Sequence, residues 1–165
     1  MKRFLIGIVA LFLTPVLAGA DAAERRLRDL SVPFYYDLGP DSIDVSKYPE
    51  RRGEQYKIFV RRCSACHTLA RSINSTMRSR EEWSYYVHRM RIMDLSEKEH
   101  HLRRVELKDV VDFLVYDSRI RKIKRGKEFV ENDQRLRDKF HALHEERVRL
   151  LRQIIERGSP ASQGK

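Results

Sequence analysis

Cys63-Ser64-Ala65-Cys66-His67 is the stretch of this 165-residue chain in which residue types and spacing combine to do chemistry. Two thiols three apart, followed at once by an imidazole, match the pattern by which haem is attached covalently. The thiols would add across the two vinyl groups as thioethers, with both sulfurs on one side of a helical turn. The imidazole of His67 would then lie beneath the ring and offer a nitrogen to iron. Three other readings compete. A redox dithiol uses the cysteines alone, but it belongs at the end of a strand in a chain that alternates strands and helices, and no such strands can be read here. A structural zinc ion needs about four soft ligands, whereas the chain has two cysteines and scattered histidines. A plain disulfide would leave the adjacent His67 as coincidence.

Iron held by His67 needs a second axial group if it is to move electrons without binding substrate, and methionine is the partner that raises potential. Met77 lies in a polar, loop-like stretch. Met90 and Met93 close a helix that starts near Ser79, with Glu81 and Glu82 favouring its dipole. Trp83, Val87 and Met90 are spaced by four and three and share one face, so Met90 leads, with Met93 the alternative. A bis-histidine site would draw on His88, His100 or His101, but these sit among charges and read as solvated.

The elements that would position these groups are helical. Tyr56, Phe59 and Val60 fall at helical spacing before the cysteines. Ser96 with Glu99 three residues on is a capping box for a closing helix, whose apolar stripe is Leu102, Val105, Val110, Phe113 and Leu114. Before the motif, residues 21–49 carry Pro33, Gly39, Pro40 and Pro49 and suit an extended surface leader. After it, a basic run (Arg119, Arg121, Lys122, Lys124, Arg125, Lys127) opens a long helical extension over 121–157. That extension has a heptad-like seam of Leu136, Phe140, Leu143, Leu150 and Ile154, and residues 158–165 form a disordered tail. The basic run reads as a solvated face or a contact for headgroups or an acidic partner. His141 and His144 lack further ligands and read as solvated.

The arrangement over residues 50–120 resembles the class I cytochrome c family. It is closest to a bacterial periplasmic branch on Glu82-Trp83, Tyr86-Val87, Arg89-Met90 and Asp112-Phe113-Leu114. The resemblance implies an all-α fold: a small cytochrome c-like haem domain in which the first and last helices cross, flanked here by the leader and the C-terminal extension. It implies one covalent haem c in a crevice with an exposed edge, bound by Cys63, Cys66 and His67 beside Trp83. It also implies that the Met seven residues after Trp, Met90, is the axial ligand. The chain departs from the commoner pattern in having Asp94 where Pro would follow Met93, and its ligand loop is very short.

Lys2 and Arg3 before the apolar run Phe4 to Leu13, with Ala18-Gly19-Ala20 behind it, read as a secretory signal peptide over residues 1–20. The run is shorter than the roughly 20 apolar residues of a membrane span; an uncleaved anchor is the alternative. Loss of that segment takes the net charge from +10 to +8. A basic exported protein suits acidic redox partner proteins, with at most peripheral membrane contact and no nucleic acid. The expectation is therefore a periplasmic electron carrier and not an enzyme. The alternatives are a five-coordinate haem enzyme or sensor, and a haem subunit that self-associates or docks on a larger complex through its C-terminal helix.

Overall fold

A computed structural model describes residues 24–94 and 103–158, and among these there is helix and no strand. Helix α1 covers 24–31. A 3-10 helix at Tyr35–Leu38 follows, then α2 (Glu50–Cys63), α3 (Ala70–Asn74), α4 (Arg80–Asp94), α5 (Arg104–Asp117), a π-helix at Ser118–Lys124 and α6 (Gly126–Gly158). No helix of the described residues is long and apolar enough to cross a membrane. The expected signal peptide, the Ser96–Glu99 capping box, Leu102, His100 and His101 lie outside the described residues, as does the tail beyond Gly158.

The chain divides into two compact units. The larger runs from Phe34 to Phe140. Its core gathers Phe59 from α2, Leu69 and Ile73 around α3, Trp83 and Val87 from α4, and Val110, Val111, Phe113 and Leu114 from α5. Both α2 and α4 pack on α5. Phe59 and Phe113 stack at 5.5 Å between ring centroids, with Tyr56 5.2 Å from Phe113. Aromatic pairs of this kind add about 1 kcal/mol beyond the area they bury.

The closing helix differs from the expected one at its start. The described α5 begins at Arg104, where Glu106 Oε2 accepts from the Arg103 amide at 3.2 Å. Val105, expected in the apolar stripe, is 74% exposed, whereas Val110, Phe113 and Leu114 are enclosed. The reason is geometric: the buried stripe starts one turn into the helix, and Val105 sits on the opposite face.

Residues 34–48, expected as part of an extended leader, are folded onto the domain. Arg71 grips Asp37 through two hydrogen bonds of 3.1 and 2.9 Å. The buried Asn74 amide donates to the carbonyls of Tyr36, Pro40 and Ala70 at 3.2, 2.9 and 2.8 Å. Tyr48 donates to Asp117 at 3.0 Å, and the Ile43 amide donates to Tyr56 Oη at 3.1 Å. Arg137 of α6 donates to Tyr35 Oη at 2.6 Å with its guanidinium over the ring. Proline and glycine here break regular helix without freeing the segment, because each turn finds a partner. Gly39 shows how closely it fits: a Cβ there would overlap the Asn74 amide.

The basic extension is likewise not one solvated face. Its first half belongs to the larger unit, where Phe129 and Leu136 are buried. In the second unit, α1 meets the last part of α6 through the Arg26–Glu146 ion pair and an Arg147 bond to the Leu30 carbonyl at 3.4 Å. Leu143 is buried there, but the expected seam ends early, with Leu150 39% and Ile154 66% exposed.

Candidate functional site

Cys63 lies four residues after Phe59 and seven after Tyr56, so helical spacing turns all three toward the core. It is the last residue of α2, which ends as Ser64 takes φ −75°, ψ −8° and bonds the Val60 carbonyl. The consequence is asymmetric. Burial, with Cys66 beside it, pushes the Cys63 thiol up to about 12. Cys66, in the turn after the helix, is exposed. The two sulfurs therefore sit across a helix end and not along one continuous helical turn.

His67 follows, half-buried, with Nδ1 2.9 Å from the Thr68 carbonyl oxygen. A ring nitrogen facing a carbonyl oxygen carries the proton, which leaves the Nε2 lone pair available to a metal. The Thr68 hydroxyl accepts from the Ala70 amide at 3.3 Å and starts α3. The motif is thus held from both sides by helix ends.

Helix α4 begins with a reciprocal cap: Ser79 Oγ accepts from the Glu82 amide at 3.1 Å, and Glu82 Oε2 accepts from the Ser79 amide at 2.8 Å. This fixes the face that carries Trp83, Tyr86 and Val87. Trp83 is fully enclosed, and its indole N–H is already committed to Ser118 Oγ at 3.0 Å. Tyr86 packs edge-on to Trp83 at 5.8 Å and lies close enough to Cys63 for their charges to interact. Its hydroxyl is buried without a hydrogen-bond partner of normal geometry, the Ser72 side chain being its polar neighbour. Met90 is one turn beyond Tyr86 and half-buried, and Met93, one turn further, is 63% exposed. Met77, which the sequence leaves in a loop, packs against the core, while its carbonyl accepts from Ser118 Oγ and Lys122 Nζ, both at 3.2 Å.

Two groups here escaped sequence reasoning. Glu106 draws Arg61, Arg62 and Arg103 to one carboxylate, with Arg62 at 2.9 and 3.0 Å, and so ties the start of α5 to the turn before Cys63. Burial alone would raise its pKa; the Arg103 and Arg62 hydrogen bonds outweigh this and hold it at about 2. Lys122, expected to be solvated, is 1% exposed. Its ammonium lies 4.7 Å from the Trp83 ring and 5.6 Å from Phe129. A signal existed for Lys122, because Val110, Leu114, Ser118 and Lys122 repeat every four residues along the buried face.

Among the described residues no three His, Cys, Asp or Glu side chains converge as a metal-binding group. The resident chemistry of the motif is two thiols and one imidazole, and the thioethers of Met90 and Met93 are carried on α4. No family model, curated protein or solved structure matches this chain.

Proposed function

We infer that this chain is a monohaem c-type cytochrome, akin to class I, that carries single electrons outside the inner membrane. The observation that carries the reading is the donor set at the end of α2: Cys63 and Cys66 flanking a turn, with His67 directed through Nδ1 at the Thr68 carbonyl. Donation of the second ring nitrogen to a carbonyl is the usual companion of a metal-bound histidine. The orphaned Tyr86 hydroxyl next to Cys63 fits a cofactor with a polar edge. The α2–α5 contact through Phe59 and Phe113 agrees with the crossing of first and last helices that the resemblance implies.

Haem would supply a one-electron couple at iron, and this chain's residues would do the rest. Cys63 and Cys66 would hold the ring covalently, and His67 would bind its iron. Met90, on the helical face of Tyr86, would be the first candidate for a second iron ligand, with Met93 the alternative. The core around Trp83 would keep water from the buried side. Exposed cations at Arg119, Lys124, Arg125 and Lys127 suit a salt-sensitive encounter with an acidic redox partner.

Expression in a host that matures c-type haem provides the test. A red protein heavier than its polypeptide by one haem is expected, with attachment lost in Cys63→Ala plus Cys66→Ala. Colourless protein of bare polypeptide mass would end the reading. Met90→Ala or Met93→Ala should turn the iron high-spin; if neither does, the sixth ligand is not one of these two.

A further inference from the structure

The larger unit contains a half-open cleft of about 480 Å³ between residues 40–48, the end of α5 and the π-helix. Its size falls within the range of small-molecule sites, and neither the thiols nor His67 line it. We propose that this cleft is a binding site for a small aromatic monocarboxylate, received by Lys47 and Arg125 over a lining of tyrosine and isoleucine.

The lining is preorganised. Arg121 is fixed by bonds of 2.7 and 2.6 Å to Asp117 and 2.8 Å to the Ile73 carbonyl, so its charge is already spent within the protein. Tyr48 bonds the same Asp117, and its ring meets Tyr116 edge-on at 5.2 Å. Arg52 lies 4.9 Å from the Tyr116 ring and steadies it. Ile43 and Ile120 complete an apolar lining. Phenol rings and branched aliphatic chains held this firmly favour a flat apolar body.

The charge is uneven in a way that selects sign. Lys47 and Arg125 are exposed, and neither pairs with a carboxylate among the described residues. The acidic group on the wall, Asp44, accepts from the Ser46 amide at 2.9 Å, which holds it ionised, and Lys47 lies near enough to offset part of its charge. With Arg121 balanced by Asp117 and Lys47 set against Asp44, Arg125 leaves the cleft with a net positive charge. A carboxylate is the simplest anion that this net positive charge receives while its ring lies on the tyrosines. This site does not depend on haem.

Isothermal titration of the full chain with benzoate, benzamide and inorganic phosphate tests the proposal. Benzoate should bind saturably, near the roughly millimolar affinity reachable by a ligand of its size. Benzamide and phosphate should each bind at least about ten-fold more weakly. Lys47→Gln and Arg125→Gln should each weaken benzoate about five-fold, and Lys57→Gln, a surface lysine paired with Glu54, should leave it unchanged. The proposal is overturned by absence of saturable benzoate binding, by benzoate binding that survives both cleft substitutions together, or by benzamide or phosphate binding equally well.

Discussion

Replacing Lys122 by Met tests how the protein accommodates a cation sealed in its core. The ammonium has two hydrogen-bond acceptors, the Met77 carbonyl at 3.2 Å and Ser75 Oγ at 3.5 Å, and no carboxylate in contact. Burial drives its pKa down, Arg121 and Arg78 repel the charge, Asp117 and Glu82 pull the other way, and the outcome is about 7 against the usual 10.5. A lysine depressed by burial is protonated in the unfolded chain and neutral in the folded one between those values, so stability climbs as pH rises from 7 toward 10.5. At 1.36 kcal/mol for each pH unit, the full effect is at most roughly 5 kcal/mol, of which about 3 to 4 kcal/mol falls between about pH 7 and pH 10. Met keeps the apolar stem and removes the charge, at the loss of hydrogen bonds worth about 1 kcal/mol each. Lys122→Met should therefore be about 2 kcal/mol more stable than wild type near neutrality and should lose that lead by about pH 10. Urea melts of both proteins across this range measure the difference, and tyrosine and cysteine titrations cancel in it. Parallel stability curves would refute the reasoning, since they would mean that Lys122 binds its proton equally well folded and unfolded.

Glu106→Gln should cost about 2 to 3 kcal/mol at neutral pH, because it unpairs Arg62 at the end of α2 while the arginines keep partial contact with water. Its carboxyl is held at about 2, below its unfolded value of 4.5, so the stabilisation is present above 4.5 and fades as pH falls toward 2; acid denaturation curves of variant and wild type should converge there, and a constant gap would contradict the assignment. Gly39→Ala should lower stability by about 2 kcal/mol in thermal melts, because the new Cβ displaces an Asn74 amide that already serves three carbonyls. An unchanged melting temperature would show that residues 34–40 are not packed against α3 as described.

Much of the helical frame was legible in the sequence, for reasons that hold locally. Tyr56, Phe59 and Val60 keep helical spacing and lie within α2, and α4 begins where Ser79 with Glu81 and Glu82 in the first turn placed it, since a helix start needs nothing distant. The Cys63-to-His67 motif stands out in the sequence because it rests on five adjacent residues. What escaped depends on long-range partners. Proline and glycine between Val32 and Pro49 break periodicity, so nothing in that segment announces that Asp37 waits for Arg71 or Tyr48 for Asp117. Lys122 escaped because charge type was weighed above spacing: read by composition, 119–127 is a solvated basic run, whereas its four-residue repeat with Leu114 and Ser118 points inward. The π-helix was not legible: no residue preference in 118–124 marks a wider turn, and the buried Ser118 and Lys122 within it meet Trp83 and the Met77 carbonyl, both distant in the chain.

The bond between Tyr48 and Asp117 joins residues 69 apart in the chain. Asn74 reaches Tyr36 and Pro40 across 38 and 34 residues, so the segment after Pro33 leaves the ribosome well before the helices that receive it have been made. Until α5 emerges, Tyr48 has no carboxylate to meet, and its end of the segment must wait. Contacts that close late over long stretches of chain slow folding.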